Sequence, residues 1–169
     1  TDELKEKRSS LIDTELNGTL YQIERLNQDY YVNHLKKIVT DTTKTGKEIN
    51  DSFNSFVNTY HDTIVSSSLV GSSSAENDII TKAKEEVKES YNGAVTPYFQ
   101  ELTDKAIAAY TKMKDENTDT NKTAFTKAIN EAKSVLQAAE ECEKKIFGET
   151  LTKDYSSFLG QLETMGDNI

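Results

Sequence analysis

Apolar side chains recur at helical spacing along almost the whole of this chain, and little between them breaks the pattern. The cheapest helix terminators are proline and glycine, and 169 residues hold one of the first and seven of the second. Long helices are therefore the default state of the backbone. A helix that buries one stripe and wets the rest needs few apolar residues, which suits a hydrophobic content of only 35%. The expected fold is all-α. It is an elongated antiparallel bundle of five to six helices, one or two of them unusually long, in a single domain over 1–169.

Along residues 2–43, Leu4, Leu11, Ile12, Leu16, Leu20, Ile23, Leu26, Tyr30, Leu35 and Ile38 are mostly three or four apart, which places them on one helical face. The threonines and glycine of 40–46 form the first break, and Thr45 with Glu48 is a capping box for the next helix. That helix carries Ile49, Phe53, Phe56, Tyr60 and Ile64 as its stripe, flanked by Val57 and Val65. Together they make an N-terminal hairpin over 1–65. The serine-rich stretch 66–74 reads as a hinge before a C-terminal helical part, 75–169.

Within that part, Ser73 with Glu76 is a second capping box, and Ile79, Ile80, Ala83, Val87 and Tyr91 share a face. Asn92-Gly93 reads as a stop and Thr96-Pro97 as a new start. Residues 75–115 are then either a helical hairpin or one rod kinked at Pro97. A polar turn over 115–121 precedes a helix built on Phe125, Ala128, Ile129, Ala132, Val135, Leu136, Ala139, Cys142 and Ile146, which Gly148 ends. A short last helix, 152–165, offers Tyr155, Phe158, Leu159 and Leu162.

The chemistry-bearing residues are few. His34 and His61 lack the local spacing of a zinc site and read as structural, and Cys142, the single cysteine, shares a stripe with Ala139 and Ile146. A buried thiol in that position behaves as a small hydrophobe. The acidic groups Glu85-Glu86-Glu89 and Glu140-Glu141-Glu143, interleaved with lysine, read as solvated faces. Neither histidine has a glutamate three residues before it, so the di-metal bundle pattern fails. No glycine-rich phosphate loop and no nucleophile elbow is present. The expectation is no enzyme, no metal and no cofactor.

The remaining signals bear on binding. The net charge of −9 disfavours nucleic acid, because neutralising phosphates takes clustered Lys and Arg. No apolar run is long enough for a transmembrane span. Sequons at Asn17, Asn50 and Asn121 are candidate glycosylation sites, in a number that a chain this rich in Asn, Ser and Thr gives by chance; with a start at Thr1 that reads as processed or trimmed, the expected location is secreted or extracellular. Tyr30, Tyr60, Tyr98 and Tyr110 fall on inner stripes, where a hydroxyl needs water or a partner, so they are candidates for lining a seam or cavity. The reading is a helical binding protein acting through protein–protein interaction with an unknown partner. The alternative is a carrier that holds an apolar small molecule or lipid between amphipathic helices.

Overall fold

The structure is a computed structural model that describes residues 1–68 and 71–169, with backbone alone at 13 and 16–26. Six helices make up the described residues, without a strand: α1 (Asp2–Val39), α2 (Gly46–Ser66), α3 (Ser72–Glu86), α4 (Lys88–Asp115), α5 (Asp119–Phe147) and α6 (Lys153–Asp167). The all-α class is as the spacing predicts. Three helices run to 28 residues or more, and α1 has 38, roughly 57 Å of rod at 1.5 Å per residue. Leu69 and Val70, within the expected hinge 66–74, lie outside the described residues.

Residues 72–115 settle as a bent rod rather than a hairpin. Both α3 and α4 lie along α5, with Ile80 beside Gly148 at one end and the Tyr110 and Phe125 rings 6.0 Å apart at the other. The bend sits at buried Val87, across which helical hydrogen bonding continues (Val87 N–H to Ala83 O, 2.8 Å; Tyr91 N–H to Val87 O, 2.9 Å). Neither Asn92-Gly93 nor Pro97 ends the helix. Pro97 lacks the N–H that would reach the carbonyl of Gly93, but both residues are exposed, so that carbonyl is not stranded in the core. Tyr91, Val95, Phe99 and Leu102 are buried on either side, and their packing overrides the local breakers. The start of α3 also differs from expectation. Gly71 is its N-cap and Ser73 makes no capping bond, whereas the Thr45–Glu48 box at α2 is formed in both directions.

Helix α5 is the hub, packed on α2, α3, α4 and α6. Its expected stripe is buried except for Ala128 and Val135, which are half-buried at its edge, and Gly148 closes it in the left-handed region (φ 66°), where glycine is favoured. Small side chains at Ala132 and Ala139 let neighbouring helices approach. Elsewhere the helices turn differently from the simplest stripe. In α1 the buried face is Gln28, Tyr31, Val32, Leu35 and Val39, while Leu4, Leu11, Ile12 and Tyr30 face solvent. Leu16, Leu20, Ile23 and Leu26 lie outside the described side chains. In α6, Leu159 and Leu162 are buried and Phe158 is exposed.

One polar residue read as part of a solvated face is instead at the centre. Glu143 is fully buried. Its Oε1 accepts from the N–H groups of Leu151 (2.6 Å) and Thr152 (3.1 Å) and from the Thr152 hydroxyl (3.2 Å). Its Oε2 accepts from the Tyr91 hydroxyl at 2.6 Å. The carboxyl thus ties α5 to α4 and to the turn that opens α6. The other members of that acidic group stay at the rim: Glu140 accepts from Ser156 Oγ (2.7 Å), and Lys145 reaches Asp62 on α2 rather than Glu141.

Burial raises the Glu143 carboxyl above the ordinary range, outweighing the lowering by its hydrogen bonds from Tyr91, Leu151 and Thr152. Between the ordinary and the raised value the folded chain keeps a proton that the unfolded chain has released. Its contribution to stability is therefore full below the ordinary value and is lost as pH rises through the raised one. Glu143→Gln keeps the shape and the Oε1 acceptor, so it is expected to flatten that part of the urea midpoint against pH. Glu143→Ala strands the donors and is expected to cost about 2–4 kcal/mol in the same unfolding measurement.

Two glycines give a second expectation. A Cβ on Gly46 at the start of α2 would sit 2.7 Å from the backbone oxygen of Ala94, so α2 and α4 meet there at backbone distance. Around Gly160 in α6 there is open space. Thermal unfolding is expected to show Gly46→Ala destabilised by about 1–3 kcal/mol and Gly160→Ala stabilised by about 0.5–1 kcal/mol.

Candidate ligand groove between α1 and α2

Helix α2 carries two apolar stripes. Ile49, Phe53, Val57 and His61, four residues apart, are buried toward the bundle. Phe56 and Ile64, both half-buried, and Tyr60, 48% exposed, form a second stripe, offset from the first. A single core face needs only one of these. The second turns toward α1 and, with Asn27, Gln28, Tyr30, Tyr31, His34, Ser67 and Ser68, encloses a groove of about 440 Å³.

The rings interlock. His34 lies nearly flat on Phe56, with centroids 4.1 Å apart and planes 18° from parallel. Tyr60 packs on the same Phe56 at 4.9 Å, and Tyr30 stands 6.3 Å from His34. Tyr31 meets Phe56 edge-on at 5.6 Å. Exposure gives the groove an inside and an outside. Tyr30 (71% exposed) and Tyr60 form the lip, while Tyr31 and Gln28 are buried at the base.

Behind the base, the Tyr31 hydroxyl and His61 Nδ1 are 3.0 Å apart, pinning α1 to α2 across the core. Burial holds the His61 imidazole below its ordinary value; Lys145 adds to the lowering, and Asp62 and Glu76 oppose it. Burial also pushes the Tyr31 hydroxyl up, with Cys142 and Asp62 adding to the rise. Cys142 is buried nearby with its thiol directed at the Asn58 side-chain oxygen (3.6 Å), and burial pushes it up to about 11. A thiol so placed is protonated at neutral pH and shielded from electrophiles.

The four tyrosines do not converge. Tyr30 and Tyr60 line the groove, whereas Tyr98 packs on Phe99 beside Gly46, and Tyr110 packs on Phe125 at the far end of α5. Phe56, His34, Gln28 and Ile64 were not among the expected lining residues. For Phe56 and Ile64 the signal is the surplus apolar width of residues 49–65 over what one buried stripe requires; Gln28 and His34, on α1, carry no such local signal. Of the sequons, Asn50 is buried within α2, and Asn121 is buried at the start of α5, its amide donating to the Glu116 carbonyl at 2.8 Å. Neither leaves room for a glycan in the folded chain; Asn17 lies outside the described side chains. Among the described residues no three His, Cys, Asp or Glu side chains converge as metal ligands. Comparison of the chain with protein-family models, with curated proteins and with solved structures finds no match.

The buried imidazole fixes a pH dependence at this seam. The unfolded chain takes up a proton at the ordinary histidine value, about 6.5, and folded His61 resists it until lower pH. Stability from this group is present above the ordinary value and is lost as pH falls through the lowered one. Urea unfolding between pH 5 and 7.5 is expected to show that slope in the wild type and a flatter one in His61→Gln. An unchanged slope in the variant locates the dependence elsewhere.

Proposed function

We propose that this chain is a non-enzymatic helical binding protein, secreted or surface-exposed, that acts by contact with another protein through the N-terminal arm of α1. One observation carries the reading. Side chains 1–12 are all exposed, and among them Leu4, Leu11 and Ile12 keep 64%, 70% and 53% of their surface in water. These three fall at i, i+7 and i+8, the spacing of a helix that lays one face into a partner. The arm is the exposed start of a 38-residue helix, so its apolar stripe is presented in helical form and a partner that covers it removes that surface from water. Charged neighbours of both signs, Glu3, Lys5, Glu6, Lys7 and Arg8, supply a polar rim around it.

A second reading, carriage of an apolar small molecule, has its own support in the aromatic groove, whose volume lies in the range of ligand sites. No helix among the described residues is long and apolar enough to cross a membrane.

The arm is tested by a double variant, Leu11→Glu with Ile12→Glu, which leaves the buried face untouched. A protein retained from the source fluid by the immobilised wild-type chain is expected to be lost by the variant, with unchanged helicity by circular dichroism. Light scattering at rising concentration separates this from self-association. Equal retention by the variant puts the contact elsewhere and removes the arm from the proposal.

A further inference from the structure

At the base of the groove lies a buried amide that makes no hydrogen bond among the described residues. It belongs to Gln28, which is 6% exposed. Of the other polar groups, the Tyr31 hydroxyl faces His61 Nδ1 and the Ser67 hydroxyl donates to the Ile64 carbonyl at 3.4 Å, while Asn27, Tyr30 and Tyr60 are on the exposed side and His34 is half-buried. A buried amide without a partner is costly, so an amide open only to a cavity marks where a bound molecule is met. The walls specify the rest of that molecule. They are ring faces and edges from Tyr30, His34, Phe56 and Tyr60, which favour a flat π-system that can stack or sit edge-on. Among the described residues no Asp, Glu, Lys or Arg lines the groove, so a charged ligand would meet no counter-ion from them. A quaternary ammonium needs free ring faces around it, and the His34 and Phe56 faces are turned on each other.

We propose that the α1–α2 groove is a binding site for a small, neutral, planar molecule with one hydrogen-bonding edge, which the Gln28 amide meets. This rests on the carrier reading and narrows it to a ligand class. The ring system enters past the lip formed by Tyr30 and Tyr60 and stacks beside the His34–Phe56 pair. Its carbonyl or ring nitrogen accepts from Gln28 Nε2, or its N–H donates to Oε1.

The test uses three probes on the full chain by isothermal titration calorimetry. They are 6-propionyl-2-dimethylaminonaphthalene, a flat ketone whose emission also reports an apolar site; 2-ethylnaphthalene, which lacks the polar edge; and phenyltrimethylammonium, a cation. The ketone is expected to bind at one site per chain, more tightly than the other two. Gln28→Met, which keeps the shape, is expected to weaken the ketone about tenfold and to leave 2-ethylnaphthalene unchanged. Tyr30→Ala and Tyr60→Ala, at exposed positions outside the core, are expected to weaken both naphthalenes with the unfolding midpoint preserved. If Gln28→Met affects both naphthalenes alike or neither, or if the cation binds most tightly, the ligand class is wrong and the carrier reading stands. Binding that ignores Tyr30 and Tyr60 overturns the site. If no probe binds, the carrier reading falls with it.

Discussion

A carboxylate with no access to water sits where three helices meet, and the arrangement of the C-terminal half follows from it. Glu143 is tolerable there only because four donors converge on it, and those donors come from α4 and from the turn before α6. Sliding α4 by a turn along α5 would take Tyr91 away. Rearranging residues 148–152 would strand the N–H groups of Leu151 and Thr152. Apolar packing is non-directional, whereas these four bonds require this placement of α4 and of the turn. Around it the Phe53, Tyr91 and Phe147 rings pack mutually, with centroids 4.6–6.1 Å apart, so the same locus also binds α2 to the pair.

The N-terminal half is joined by a different and weaker device. Its polar link across the core is the Tyr31–His61 pair, a single hydrogen bond rather than a carboxyl met by four donors. At the surface, α1 is tied to α3 by Asp29 with Lys82, a half-exposed pair that adds little. The two buried titratable groups also work in opposite senses. Glu143 favours the folded state at lower pH and His61 at higher pH, so their contributions partly cancel between them.

Much of the fold was legible because its helices repeat their apolar residues in register. The stripe of α5, the Thr45–Glu48 box and the Gly148 stop are local signals, and the structure repeats them. Three features were not local. Pro97 and Asn92-Gly93 read as terminators because the pattern does not show that the broken face is wet while the opposite face is welded to α5. Glu143 reads as surface because a glutamate between lysines gives no hint of donors eight and nine residues ahead and fifty-two behind. In α1 the choice between the Tyr30 and Tyr31 faces turns on a single residue, and only the packing of α2 decides it. The groove was half legible: Tyr30 and Tyr60 stood out as amphipathic rings, but their pairing with His34 and Phe56 depends on how two helices are rotated.

That rotation is set from the core side. Tyr31 belongs to both environments, its hydroxyl held by His61 and its ring edge against Phe56. Phe56 in turn carries His34 on one side and Tyr60 on another. Turning α1 to bury Tyr30 would pull Tyr31 off His61 and leave a buried imidazole unpaired. The lip tyrosines are therefore kept in water by a bond on the far side of the same helix. Exposed aromatic rings held this way lose little conformational freedom when something covers them, which is the property a recognition surface needs.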